Sequence, residues 1–188
     1  MKFYYQDQDR MMRFMKPVSI WDAQGNVMYT MRTHKGLGLG YQLDLFDAYG
    51  DQIAEIRQKI GLLRSNITVQ TDGQEWTFHI RHTLKNGAIC EIGGIGWTLD
   101  GFVMRREYGL YEGQKLIAVV HAAASDFGYQ KDYRSLLDHH MRASAKTFDP
   151  AACCEVEIAE DMAVEEVLAA VMGIEAAIIA ANDNNNST

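Results

Sequence analysis

The alternation of apolar and polar positions changes character once along this chain. Up to about residue 125, apolar side chains come every second residue, as in Val27, Tyr29 and Met31 or Trp76, Phe78 and Ile80. That period is the mark of strands with one face buried and one face wet. From Met162 to Ala181 the sequence reads MAVEEVLAAVMGIEAAIIAA, and the alternation is gone. Ala, Leu, Met and Glu dominate this stretch, all strong helix formers. Glu160, Asp161, Glu165 and Glu166 stand at its start, where negative charge suits the positive end of a helix dipole. Asn182 is placed to cap the far end. Past the first turn, Val164, Val167, Leu168, Val171, Ile174, Ile178 and Ile179 leave no polar face. A helix apolar all round is enclosed either by protein or by a membrane.

The strand-forming part is built on a repeat. Ile20-Trp21-Asp22-Ala23-Gln24-Gly25 leads into Val27–Arg32, and 25 residues later Leu45-Phe46-Asp47-Ala48-Tyr49-Gly50 leads into Ile53–Arg57. Asp-Ala recurs in register, with Gly three residues after the Asp and Arg ten after it. Looser versions start at Val69-Gln70-Thr71-Asp72-Gly73 and Leu110-Tyr111-Glu112-Gly113. Each predicts a β-hairpin: Asp accepts hydrogen bonds within the turn, Gly supplies positive φ, and apolar residues flank both. Glycine-containing links at Lys35–Gly40, Gly61–Leu63, Asn86-Gly87 and Gly93–Gly96 separate the units. Counting Cys154–Ile158, this gives roughly a dozen short strands, a number that favours a closed barrel because closure removes exposed edges.

The helix and the barrel explain each other. Twenty residues at ~1.5 Å each span about 30 Å, enough for a bilayer, so length does not decide the helix's surroundings. Glu175 near the middle of the apolar run does, together with the many Ala positions and the lack of Lys or Arg at the end. An acid at a helix centre costs roughly 2.5–3.5 kcal/mol on insertion scales. The expected architecture is mainly β, a closed antiparallel barrel of about 12 strands enclosing one C-terminal hydrophobic helix. It occupies residues 1–181 as a single domain, with 182–188 a disordered polar tail. Asp126–Ala152 breaks the rhythm and is expected to be an inserted or remodelled segment, part helix and part loop.

Charge and cysteine content then narrow the function. A net charge of −7 and a pI near 5.3 argue against a nucleic-acid binder, which needs a basic footprint. Cys90, Cys153 and Cys154 make no disulfide framework, and no run near the start resembles a signal peptide, so a reducing cytoplasm is expected. A basic patch of Lys35, Arg57, Lys59, Arg64, Arg105 and Arg106 is the candidate ligand site, since Lys and Arg bind phosphate oxygens by charge-assisted hydrogen bonds. The plainer reading is a set of solvated strand faces. Asp138, His139 and His140, with His121, have metal-ligand chemistry, but adjacent histidines on a helix diverge by about 100°. No metal site or cofactor is therefore expected. Nor does any nucleophile, base and acid cluster suggest an enzyme. In a dry barrel, Glu175 must be hydrogen-bonded, paired or protonated, and wall donors such as Arg, Tyr or Trp are its expected partners.

Repeated Asp-x-x-Gly hairpins, the strand Glu155-Val156-Glu157-Ile158-Ala159, and an acidic start to a terminal apolar helix resemble the LURP-one-related family. That family is akin to the tubby C-terminal domain and the phospholipid scramblases. The Ile174-Glu175 pair stands where relatives tend to carry Ile-Asp. The resemblance implies a barrel threaded by its C-terminal helix. It also implies a non-enzymatic module that binds phospholipid headgroups or another anionic ligand at a membrane surface, with the chain cytoplasmic and peripheral to the membrane. The alternatives are a protein-interaction scaffold, using its outer strands or residues 126–152, and scramblase-like lipid transport with the helix in the membrane. No phosphoinositide site transfers residue by residue.

Overall fold

The computed structural model describes residues 1–6, 17–34, 42–60, 65–83, 87–123 and 148–185. Among these residues, twelve strands carry the alternating segments. They are β1 (Lys2–Tyr5), β2 (Val18–Asp22), β3 (Val27–His34), β4 (Gln42–Asp47), β5 (Gln52–Ile60), β6 (Ser65–Thr71), β7 (Gln74–Thr83), β8 (Gly87–Gly93), β9 (Trp97–Phe102), β10 (Glu107–Glu112), β11 (Lys115–His121) and β12 (Cys154–Ile158). One helix, α1 (Val164–Asn185), follows them. The strands form one antiparallel sheet in the order β8-β7-β6-β5-β4-β3-β2-β1-β12-β11-β10-β9. The sheet curls into a nearly closed barrel, because its two outer strands, β8 and β9, are consecutive in the chain and come together at a seam. Among the described residues, that seam has no ladder of backbone hydrogen bonds.

The repeated hairpins are copies at atomic level. Asp22 Oδ1 accepts from the N–H groups of Gln24 and Asn26, and Asp47 Oδ1 accepts from those of Tyr49 and Asp51. The Gly25 and Gly50 N–H groups donate to the carbonyls of Asp22 and Asp47. Both glycines have positive φ, 83° and 93°, a region that L side chains rarely adopt. The register shifts by one residue beside each turn, at Ile20/Trp21 and at Leu45/Phe46. A turn followed by such a bulge increases the local twist that closes a barrel.

The helix fills the interior. Every residue from 167 to 180 is buried, and each fully buried Val, Leu or Ile contributes roughly 1.5–3 kcal/mol. Its closest neighbours are β5, β6 and β7. A Cβ placed on Gly173 would lie 2.6 Å from Val69 Cγ2 and 2.8 Å from Phe78 Cε2, so only glycine permits this approach of helix to wall. Two expectations about the helix ends are corrected. The helix begins at Val164, after a turn in which the Ala163 carbonyl accepts from the Val167 N–H. It also runs on through Asn185, so Asn182 is a helical residue and not a cap. No Gly or Pro follows Ala181 to stop the helix, and a polar residue of modest propensity costs little once the turns behind it are fixed.

The antiparallel order gives the barrel two different ends. At one end lie the short turns 23–26, 48–51, 72–73, 94–96 and 113–114, with Met1 and the entry to α1. At the other, the strand termini Tyr5, Val18, His34, Gln42, Ile60, Ser65, Thr83, Gly87, Phe102, Glu107, His121 and Cys154 meet. Most of the expected 126–152 excursion lies outside the described residues. Its last part is a 3-10 turn, Pro150–Ala152, with the Asp149 carboxylate accepting from Ala151 N–H. Just before it, the Phe148 ring packs on the outer wall against Tyr4 and Trp21, at centroid distances of 5.5 and 5.7 Å.

Candidate functional site

The most unusual chemistry in the chain sits inside the barrel. Glu175, on the middle of α1, has no exposed surface. Its Oε1 accepts from the Tyr5 hydroxyl of β1 at 2.8 Å, and its Oε2 accepts from Arg106 Nε at 2.9 Å. The carboxylate is thus held by two wall donors of the types that burial demands. Burial pushes the Tyr5 and Tyr108 hydroxyls well above the usual phenol range, with the Glu175 charge adding to it. Both phenols therefore remain donors at any physiological pH. The Tyr108 hydroxyl, also near this charge pair, is buried without a hydrogen-bond partner.

Arg106 is therefore not a surface residue. Sequence adjacency placed it with Arg105 in a basic patch, and the backbone separates the two. After β9 the chain makes a 3-10 turn, Val103–Arg105, and Arg106 then takes left-handed torsion angles, φ 57° and ψ 35°. Among the described residues it is the one non-glycine with positive φ. That twist sends Arg106 inward, where it is 7 % exposed, and leaves Arg105 outside over the Phe102 ring at 5.5 Å. The next residue, Glu107, is a fastener on the outside. It accepts from Ala122 N–H and meets His121 Nδ1 at 3.1 Å, holding the end of β11.

The remaining members of the basic set are dispersed around the barrel. Arg57 and Lys59 lie exposed on β5, Arg57 against Glu55 and Lys59 3.8 Å from Glu75. Arg105 stands across the seam from them, on the far side of β6, β7 and β8. Lys35 and Arg64 lie outside the described residues. Arg32 and Arg81, absent from the expected set, are exposed in the same half as Arg105, Arg32 over Phe46 and Arg81 3.1 Å from Glu91.

The other candidate chemistry is quiet. Cys90, Cys153 and Cys154 are buried and not disulfide-bonded. Burial pushes the Cys90 thiol up to about 12 and the Cys153 thiol to about 11, the reverse of what a reactive thiolate needs. His139, His140 and Asp138 lie outside the described residues. Among the described residues no group of three His, Cys, Asp or Glu side chains is arranged to hold a metal ion. No helix among them is long and apolar enough to cross a membrane.

An antiparallel barrel wound around its own C-terminal helix is the tubby-like class of β-protein. The LURP-one-related family model matches residues 3–136. The chain belongs to that family. A crystal structure of an Arabidopsis thaliana protein is similar in fold, with 13 % sequence identity, 92 % of this chain and 87 % of that one covered, and a TM-score of 0.49. None of the curated proteins compared with the chain matches it.

Proposed function

We propose that this chain is a non-catalytic binding module that presents one end of its barrel to an anionic surface, phospholipid headgroups being the natural example. The observation that carries this reading is the uneven distribution of charge along the barrel axis. Asp22, Asp47, Asp51, Asp72, Glu112, Glu160 and Asp161 gather at the turn end, with Lys115 paired there to Asp161 at 2.6 Å. Arg105, Arg57 and Lys59 lie toward the opposite end. The interior is filled by α1, so a ligand of any size must be met on the outside. A barrel that gathers acids at one end and carries exposed cations toward the other orients itself on a negative surface, at about 1 kcal/mol per basic residue close to the headgroups.

The test is co-sedimentation with phosphatidylserine and phosphoinositide vesicles at low and high salt. Salt-sensitive binding is expected, weakened roughly tenfold or more by Arg57→Glu with Lys59→Glu and Arg105→Glu. Lys115→Glu at the turn end should leave it unchanged. No binding to any anionic vesicle at low salt overturns the proposal.

A second reading, a protein-interaction scaffold, is favoured by a different observation. Phe148 seats the end of the 126–152 segment on the outer wall between Tyr4 and Trp21. Phe148→Ala should then weaken capture of a protein partner without altering vesicle binding.

A further inference from the structure

We propose that Arg106 and Glu175 form a releasable latch on the barrel's unpaired seam, with the Tyr108 hydroxyl standing by to take over the carboxylate when the guanidinium leaves. Three independent observations meet at this place. The first is the seam itself: β8 and β9 come together without a hydrogen-bond ladder, so it is where the wall can part at least cost. The 3-10 turn that follows β9 packs against β8 and so lies across this gap. Arg106 is the residue immediately after that turn.

The second observation is the backbone of Arg106. Its left-handed torsion angles are disfavoured for a residue with a side chain. They are held by the bond to Glu175, 69 residues away, and by the bond from Arg106 N–H to the Val103 carbonyl. The side chain keeps a small exposed fraction, 9 %, so the guanidinium has a short way out to water.

The third is Tyr108, two residues further on β10. Its hydroxyl is buried, has no partner, and sits within the field of both Glu175 and Arg106. In the observed state this donor does nothing for the fold, and a buried unpaired hydroxyl is a standing cost. It becomes useful once Arg106 swings out. Tyr5 keeps its bond to Oε1, and Tyr108 offers the carboxylate a hydrogen bond in place of the one that Arg106 takes away. The closed state thus carries a strained backbone and an unused donor, whereas the open state employs the donor and loses the ion pair. Two arrangements balanced in this way are what a switching element requires. Glu107, next in sequence, ties the same corner to His121 and Ala122, so movement of Arg106 is felt at the end of β11.

Hydrogen–deuterium exchange of the full chain, read strand by strand, tests this. Tyr108→Phe removes nothing the closed state uses but takes away the donor the open state needs. Exchange in β8 and β9 should slow roughly tenfold while β4 and β5 stay unchanged. Arg106→Gln should do the opposite, speeding β8 and β9 roughly tenfold with β4 and β5 unchanged. If Tyr108→Phe leaves the seam unchanged or speeds it, the latch is wrong. The same holds if Arg106→Gln speeds every strand alike, because the pair then serves only the core as a whole. Should Arg106→Gln fail to fold, the Tyr108→Phe measurement decides alone.

Discussion

The two ends of the barrel are held together by different means. At the turn end, each hairpin closes on itself through bonds between residues two to four apart, as in the paired Asp22 and Asp47 turns. At the opposite end, the corner after β9 is fixed by a contact between residues 69 apart, and the same carboxylate reaches a tyrosine 170 residues away. Local turns can be lost singly, since their neighbours do not depend on them. A long-range buried pair serves helix, seam and β1 at once. The lesson is that the barrel's robustness and its capacity to change reside at opposite ends.

Substitution can break this contrast, and the largest effect should come from Glu175→Leu. It takes from the buried Arg106 guanidinium its carboxylate partner, for which a loss of about 3–5 kcal/mol in urea-unfolding stability is expected. Adding Arg106→Leu should recover much of that loss, because a hydrophobic pair replaces an ion pair at little net cost. If Glu175→Leu alone is tolerated, the carboxylate does not organise this end. Next comes Gly173→Ala, which presses a methyl group on Val69 and Phe78 and should cost about 1–3 kcal/mol in the same measurement. Asp47→Ala loses two turn bonds and should cost only about 1 kcal/mol, measured by thermal unfolding. Combined with a change at the Asp22 turn it should behave additively, since the two turns share no partner.

The smallest expected effect is one of pH. Hydrogen bonds from the Asn26 side chain and from the backbone of the turn lower the Asp22 carboxyl below its ordinary range. A carboxyl lowered by folding stabilises the fold fully above its unfolded value, near ~4, and that contribution is lost as pH falls through the lowered folded value. Asp22→Asn should therefore lower stability at neutral pH, where the contribution is present in full, and flatten the stability profile below about pH 4. A profile unaltered by the substitution would remove Asp22 from the acid response.

What could be read in the sequence follows the same division. The Asp-x-x-Gly hairpins and the helix are written in spacings of two, three and four residues, so pattern alone reveals them. That Glu175 needs wall donors also follows from burial, since an acid in a dry interior must have them. Which donors these are does not. Arg105 and Arg106 are indistinguishable as letters, and only the left-handed turn at position 106 decides that one faces water and the other the helix. Tyr5 is invisible for another reason: its closeness to Glu175 arises from β1 pairing with β12, a contact between the first strand and the last. Arg32 and Arg81 carry no such signal, because each is the one Arg or Lys in its strand.

The position of α1 in the chain carries a consequence for how the protein is made. The segment that fills the centre of the barrel is also the one that leaves the ribosome after every strand. Until residues 164–185 emerge, the apolar inner faces of the strands have nothing to close upon, and β1 waits for β12 as its partner. Stable closure must therefore wait until α1 has emerged. A nascent chain interrupted before Val164 would hold an open, sticky sheet, a client for chaperones or proteases.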